Sequence, residues 1–199
     1  MDSENWNQRY AGSDYVWTVT ANQFVEQHLC DLAPGTAIDL GAGEGRNAVW
    51  LAQRGWDVTA VDFSDVGLAK AKRLATEHHV HVEVVCADAT TYEPEEPVDL
   101  VVLAYLQIDA TGRRTVLERA ATWLRPGGTV FVIAHDRSNV TDGYGGPPAA
   151  AVCYSVGETV EALAGLTIER AEVAERTVVN DDGVHTALDT LVIAVRPAA

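Results

Sequence analysis

The chain has 199 residues, 47% of them hydrophobic, and 29 Asp and Glu against 14 Lys and Arg give it a formal net charge of −15. This length suits one domain with a substantial core, and the strong negative charge disfavours nucleic acid as the main substrate, because phosphate backbones are repelled. The acidic start lacks the pattern of a signal peptide, and no apolar run approaches the ~20 residues of a membrane span. We therefore expect a cytoplasmic protein with no membrane partner.

An aromatic-rich leader comes before the first predicted strand. Residues 1–34 include Trp6, Tyr10 and Trp17 among several rings. One interpretation is a helix pair whose aromatic side chains pack on the edge of a sheet. The other is a mobile lid that closes over a bound ligand and excludes water. We accordingly predict an N-terminal helical cap or lid over residues 1–34 and the main domain over residues 35–199.

The stretch AIDLGAGEGRN, residues 37–47, predicts a strand, a tight turn and a helix start. Its three alternating glycines allow positive φ angles and leave room where a Cβ would collide with a ligand. The helix that follows presents free backbone N–H groups. The pattern predicts a cradle for a small ligand.

This cradle differs from the dinucleotide-binding fingerprint. The third glycine comes one residue early, and Arg46 stands where the fingerprint has glycine. Asp62 ends the next predicted strand, 62 − 41 = 21 residues after Gly41, and an acid there can accept both hydroxyls of a ribose. We expect a cofactor that carries a ribose but no diphosphate.

The rest of the chain continues the alternation of strands and helices. Residues 98–106 form a nearly continuous apolar run, typical of a central parallel strand, and residues 129–134 predict a fifth strand. Residues 166–179 and 187–195 alternate around an Asn-Asp-Asp-Gly turn and predict a hairpin. The predicted fold class is α/β: a Rossmann-like, doubly wound and mostly parallel seven-stranded sheet with a C-terminal antiparallel hairpin.

Five segments of the chain, in this order, resemble the motif set of class I S-adenosylmethionine-dependent methyltransferases. They are DLGAGEG (39–45), VDFS (61–64), CADA (86–89), VDLV (98–101) and LRPGGT (124–129). Within that class, the Gly-Arg-Asn helix start and the leader most resemble the branch of the tellurite-resistance and thiopurine methyltransferases. The resemblance implies that the cofactor is S-adenosylmethionine and the product S-adenosylhomocysteine.

The resemblance also implies a set of cofactor-binding residues. Asp88 and Ala89 match the pair that recognises the adenine, and Phe63 could stack on its face. Arg9 and Arg46 are both able to pair with the methionine carboxylate, and the sequence leaves that choice open. The full expected set is Arg9, Trp17, Asp39, Gly41, Ala42, Gly43, Arg46, Asp62, Phe63, Ser64, Asp88, Ala89 and Ala104.

Candidate catalytic residues follow the fourth and fifth strands. His135 and Asp136 come at the carboxyl edge of the fifth strand, where open α/β sheets bind ligands, and Tyr105 follows the fourth. A general base is needed only if the acceptor must lose a proton; Asp109 and His185 are further candidates. The segment AYLQ (104–107) differs from the Asn-Pro-Pro-aromatic set of enzymes that methylate amino groups of adenine or glutamine.

No metal site is expected. His78, His79 and His81 lie where a helix gives way to a strand, without a carboxylate or cysteine at metal-ligand spacing. We interpret them as a solvated turn.

Together these patterns predict an S-adenosylmethionine-dependent methyltransferase acting on a small-molecule acceptor through an oxygen, sulfur or soft oxyanion nucleophile. The alternative is a non-catalytic sensor or partner protein that binds the same cofactor, and a nicotinamide oxidoreductase is a weaker third. We expect a monomer or homodimer.

Overall fold

Seven strands and seven α-helices lie along residues 3–198, which the computed structural model describes. The strands belong to one seven-stranded sheet. Residues 1, 2 and 199, at the ends of the two predicted domain ranges, lie outside the described residues. The chain divides into two parts, one ending at Ala104 and one beginning at Tyr105.

The first part holds four helices and four strands. They are α1 (Ser3–Tyr10), α2 (Gln23–Leu29), β1 (Thr36–Leu40), α3 (Arg46–Gln53), β2 (Asp57–Asp62), α4 (Asp65–Glu77), β3 (Glu83–Cys86) and β4 (Val98–Ala104). β1 pairs in parallel with β2 and with β4, and β2 pairs in parallel with β3. The carboxyl ends of all four strands therefore meet at one edge of the sheet, the ligand side of such folds.

Burial explains why these segments become strands and helices. Ile38 and Leu40 on β1 are almost completely buried, as is the apolar run of β4, which fits strands covered on both faces. The Ser64 hydroxyl accepts a hydrogen bond from the Gly67 amide at 3.0 Å and caps α4, as predicted. Each element thus starts from a local signal and is stabilised by burial.

The second part holds three α-helices, a short 3₁₀ helix and three strands. They are α5 (Ala110–Trp123), β5 (Leu124–His135), α6 (Asn139–Asp142), the 3₁₀ helix (Ala150–Val152), α7 (Val156–Ala162), β6 (Thr167–Asn180) and β7 (Gly183–Val195). β7 runs antiparallel to both β5 and β6. In the whole sheet the strand order is β3-β2-β1-β4-β5-β7-β6, which confirms the predicted fold class.

Two predicted strand boundaries in this part were wrong. The fifth strand begins at Leu124 rather than at residue 129, because Gly127 and Gly128 exchange backbone hydrogen bonds with Arg196. β7 begins at Gly183 rather than at residue 187, because its pairing with β6 continues to the tight turn at residues 181–182. At the fifth strand these backbone hydrogen bonds outweigh the local Pro-Gly-Gly turn signal, whereas the turn before β7 lies where the sequence predicts it and the strand simply begins directly after it.

Of the helices in residues 3–198, none is both long enough and apolar enough to cross a membrane.

Candidate cofactor and acceptor sites

The glycine loop between β1 and α3 has the backbone conformation that the sequence predicts. Gly41, Gly43 and Gly45 have φ angles of 80°, 54° and 81°, a region that only glycine enters at low cost. A Cβ at Gly43 would lie 2.7 Å from the Tyr10 hydroxyl oxygen. The Gly41 and Ala42 amides donate to the Val61 carbonyl at 2.8 and 3.0 Å, which fixes the loop beside β2.

Two buried carboxylates lie at the carboxyl ends of β1 and β2. Asp39 accepts a hydrogen bond from the Ala48 amide through Oδ2 at 3.0 Å, whereas its buried Oδ1 has no partner in residues 3–198. Burial raises the pKa of Asp39 to about 7, against the opposing effects of the Ala48 amide and the Arg46 charge. Asp62 accepts from the Gly43 and Ser64 amides, each at 2.8 Å, and burial raises its pKa as well.

The leader packs against this loop through its aromatic rings. Trp6 and Tyr10 stack with centroids 5.5 Å apart and are buried, whereas Trp17 is 40% exposed. The Arg9 guanidinium lies 5.2 Å from the Trp6 centroid and 4.7 Å from that of Trp17. Burial raises the pKa of Tyr10 to about 12. Trp6 and Tyr10 are therefore packed against the domain. Trp17 is exposed, and that the leader acts as a lid over the cofactor stays a proposal.

Sequence reasoning missed a buried ion pair that ties the leader to the glycine loop. Lys70 Nζ lies 2.8 Å from Glu44 Oε1, and the two side chains are 7% and 5% exposed. Glu44 also accepts hydrogen bonds from the amides of Val16 and Trp17 at 3.0 to 3.1 Å. Lys70 donates to the Asp14 carbonyl as well. The one sequence signal was a lysine on the apolar face of the predicted helix that became α4.

The remaining predicted cofactor residues lie at or beside the carboxyl ends of the first four strands. Phe63 and Ala104 are half-buried, and Asp88 is exposed just after β3, where its Oδ1 accepts from the Thr90 amide at 2.8 Å. Ser64 is fully buried, and its hydroxyl caps α4 and contacts Asn7. Its side chain is therefore part of the support for the site.

Arg46 lies near Asp39, and its positive charge opposes the rise that burial causes in the Asp39 pKa. The Arg46 guanidinium also donates a hydrogen bond to Thr18 Oγ1 at 3.1 Å. Arg9 is stacked on two indoles, and which of the two arginines pairs with the cofactor carboxylate stays a prediction. Ala89 is half-buried next to Asp88.

A second polar cluster lies in the part that begins at Tyr105. Tyr105 has a φ of +58°, a strained value for a residue with a Cβ, and strain of this kind is typical of functional sites. Its hydroxyl donates to Asp189 Oδ2 at 2.8 Å, and its ring centroid lies 4.7 Å from that of His135. His135 Nδ1 faces Asp189 Oδ1 at 3.3 Å.

Asp189 and Arg176 are functional candidates that sequence reasoning did not find. Asp189 is the β7 partner of His135 in the strand register and is completely buried. Arg176 Nε donates to Asp189 Oδ2 at 2.7 Å and to the Tyr105 hydroxyl at 3.1 Å. Burial acts to raise the pKa of Asp189, but the neighbouring His135, the hydrogen bonds from Arg176 and Tyr105 and the Arg176 charge outweigh it and lower that pKa. Asp189 is therefore an ionised carboxylate beside His135. The 3.3 Å approach of His135 Nδ1 to Asp189 Oδ1 does not have the geometry of a hydrogen bond, and neither atom has another partner in residues 3–198.

Asp136, the third predicted catalytic residue, has a different environment. Its Oδ1 accepts from the amide and hydroxyl of Ser138 at 2.9 and 2.7 Å, and its Oδ2 accepts from the Thr190 hydroxyl at 2.6 Å. The side chain is 5% exposed. These bonds give Asp136 a structural role in the turn after β5.

The Gly/Pro-rich loop at residues 143–148 lies against His135. A Cβ at Gly146 would be 2.9 Å from His135 Nδ1. Asn139 Nδ2 donates to the Gly145 carbonyl at 2.9 Å, and the Tyr144 ring stacks on His185 at 3.8 Å. The loop therefore covers one side of the His135 ring, while His185 supports the loop.

The predicted turn at His78, His79 and His81 follows α4. His78 is the C-cap residue of the helix, and His79 has a φ angle of 56°. Within the part of the chain that the structure describes, no three His, Cys, Asp or Glu side chains are grouped to hold a metal ion. The absence of a metal from the reaction stays a prediction.

The geometry and the family comparison agree on the class of protein. The family model described as a methyltransferase domain matches residues 37–128, from β1 into β5. Residues 37–128 of the chain therefore match a methyltransferase domain, and the fold is one that S-adenosylmethionine-dependent methyltransferases share. S-adenosylmethionine is the cofactor that this similarity indicates.

Curated relatives match over part of their length. A phosphoethanolamine N-methyltransferase 1 from Triticum aestivum is 32% identical over 111 residues, 52% of this chain and 22% of that protein. A ribosomal RNA small subunit methyltransferase C from Alcanivorax borkumensis is 32% identical over 108 residues, 51% of this chain and 33% of that protein. The names of these relatives point to different acceptors, and this chain spans at most a third of either relative.

Solved structures share the fold. TehB from Haemophilus influenzae has a TM-score of 0.75 at 15% identity, covering 98% of this chain and 66% of that one. The N-methyltransferase NodS from Bradyrhizobium japonicum, in complex with S-adenosylhomocysteine, has a TM-score of 0.70 at 16% identity, covering 96% and 99%. At these identities the likeness concerns the fold.

The residues of the first part fit this cofactor. The buried Asp39 Oδ1 lacks a donor, which a cationic amino group would supply. Gly43 lacks the Cβ that would occupy the loop, and Asp62 ends β2 where ribose hydroxyls are bound in such folds.

Proposed function

We propose that this chain transfers a methyl group from S-adenosylmethionine to a small-molecule acceptor, and that His135 is the general base for acceptors that must lose a proton. The observation that carries the proposal is the His135–Asp189 pair at the carboxyl end of β5. The Asp189 carboxylate, 3.3 Å from Nδ1, favours a proton on that nitrogen, and Nε2 is then left to accept a proton from the acceptor.

The cofactor supplies an activated methyl group on a sulfonium, so the protein has mainly to bind, orient and exclude water. Asp62, Asp39 and Arg46 would hold its ribose, amino group and carboxylate. On the acceptor side, Tyr105 and Arg176 fix Asp189, and Asp189 fixes the imidazole of His135. An acceptor that is already an anion, such as a thiolate, would not need His135.

Charge supports a small acceptor rather than a nucleic acid. The formal charge of −15 opposes a polyphosphate chain, although one similar protein is a methyltransferase of ribosomal RNA by name. Another similar protein, a phosphoethanolamine N-methyltransferase, is named for a small acceptor. We propose an oxygen, sulfur or soft oxyanion nucleophile, a cytoplasmic location and a monomer or homodimer.

The second candidate is a sensor or partner protein that binds the cofactor without catalysis. A panel of phenols, thiols and soft oxyanions incubated with methyl-labelled cofactor distinguishes the two. We expect label in at least one acceptor together with an equal amount of S-adenosylhomocysteine. Binding of the cofactor without transfer to any acceptor would favour the sensor.

A further inference from the structure

The Arg176 guanidinium is held in place through its Nε atom. Its Nε is held by Asp189 and Tyr105, and its guanidinium carbon lies 5.7 Å from the Tyr105 ring centroid. No hydrogen bond from either Nη group reaches another residue of the described chain. The side chain is nevertheless only 22% exposed.

A guanidinium that is held through Nε and has no hydrogen bond from its Nη groups can bind an oxyanion. Its two Nη groups are parallel donors, which match the two oxygens of a carboxylate or phosphate, and partial burial strengthens such bonds. Asp189 has its Oδ2 occupied by Arg176 Nε and Tyr105, so it orients the guanidinium without covering the Nη groups. Positive charge is scarce in this chain, and several other arginines, such as Arg170 and Arg114, pair with exposed glutamates.

The same cluster ties this guanidinium to the proposed base. Asp189 binds Arg176 through one oxygen and faces His135 Nδ1 with the other. His135, Asp189 and Arg176 lie on the neighbouring strands β5, β7 and β6. A molecule whose anionic group binds Arg176 would therefore be placed beside His135.

We infer that Arg176 is an anion-binding residue for the methyl acceptor, which carries a carboxylate or phosphate group in addition to its nucleophile. This rests on the proposed function and narrows its substrate class to small acids. The Nη groups bind the oxyanion, and Asp189 and Tyr105 keep the guanidinium in place.

Binding of simple anions tests the site without any methyl transfer. Benzoate, phenyl phosphate and neutral benzamide are titrated into the wild type, Arg176→Gln and Arg170→Gln in the presence of S-adenosylhomocysteine. Arg170 is the matched control, since it lies on the same strand and pairs with Glu172. We expect one or both anions to bind with a Kd of about 1 mM, more tightly than benzamide, and Arg176→Gln to weaken that anion about 10- to 100-fold.

Methyl transfer supplies the second readout. With 4-hydroxybenzoate and its methyl ester as matched phenols, Arg176→Gln should reduce kcat/KM for the acid by about 10- to 100-fold more than for the ester. Arg176→Lys should recover part of that preference, because it keeps a point charge. If Arg176 only supports Asp189, both phenols lose equally.

Equal binding of the anions by wild type and Arg176→Gln, or no preference of either anion over benzamide, overturns the anion site. Failure of every acceptor to be methylated overturns the proposed function instead, and the titrations still decide the anion site.

Discussion

At the scale of single residues, the proposed cofactor site contains two buried carboxyl groups with different partners. Asp62 already accepts two backbone amides, whereas Asp39 has one oxygen without a donor. An orphaned buried oxygen costs free energy until a donor arrives. We therefore propose that Asp39 binds the cationic amino group, and that Asp62, which shapes the loop, binds the ribose at the end of β2.

Asp62→Ala should weaken binding of S-adenosylmethionine by on the order of 2 to 4 kcal/mol, because two charge-assisted hydrogen bonds to the ribose are lost. Calorimetric titration measures this. Asp57→Ala, at the exposed start of the same strand, is the control and should bind as the wild type does. Equal affinity in Asp62→Ala and wild type would remove Asp62 from the site.

Cofactor affinity should depend on pH through Asp39. Burial raises the pKa of Asp39 to about 7, so below about pH 7 the free folded chain holds a proton on Asp39 that must leave before a cationic amino group binds. Affinity should be full above about pH 7 and fall up to tenfold per pH unit below it. Conversely, the free chain loses stability as pH rises from the usual range of an aspartate to about 7.

Titrations of S-adenosylhomocysteine between about pH 5.5 and 8 test this, with Asp39→Asn as the variant that should lose the pH dependence near 7. A wild-type affinity that is constant over this range would contradict the role of Asp39.

At the scale of elements, the leader is joined to the glycine loop by the Glu44–Lys70 pair. Glu44 belongs to the loop, Lys70 to α4, and both bind the backbone of residues 14–17. The position of the leader and the conformation of the glycine loop are therefore coupled through these two side chains.

Lys70→Met should lower the free energy of unfolding by about 3 to 5 kcal/mol, because it leaves Glu44 buried without a cation. It should also release the leader, so that trypsin cuts after Arg9 sooner than in the wild type. Glu118→Gln, which removes an exposed ion pair with Arg114, should change stability by less than about 1 kcal/mol. Unchanged cleavage at Arg9 in Lys70→Met would show that the pair does not hold the leader.

Features that depend on residues close together in the sequence could be predicted from it. The glycine φ angles, the Ser64 cap and the place of Asp62 at a strand end follow from short segments. Asp189 could not be predicted, because its contact with His135 depends on strand register across 189 − 135 = 54 residues. Lys70 meets Glu44 only because α4 packs against the loop, 26 residues away in sequence.

At the scale of the whole molecule, the negative charge predicts how the reaction responds to its surroundings. A sulfonium donor needs no Lewis acid to create the electrophile, and the acidic surface should not gather nucleic acid. Methyl transfer should therefore persist in chelator and show no competition from added RNA. Loss in chelator with recovery on adding zinc or magnesium would bring the cluster of His78, His79 and His81 back as a site.

The most direct test of the account is the rate of methyl transfer by His135→Gln to a hydroxyl acceptor and to a thiolate acceptor of similar shape. General base catalysis contributes about 10²- to 10⁴-fold, so the hydroxyl acceptor should lose a factor of this size while the thiolate and the cofactor affinity change little. Equal rates for wild type and His135→Gln with the hydroxyl acceptor would contradict the assignment of His135 as the base.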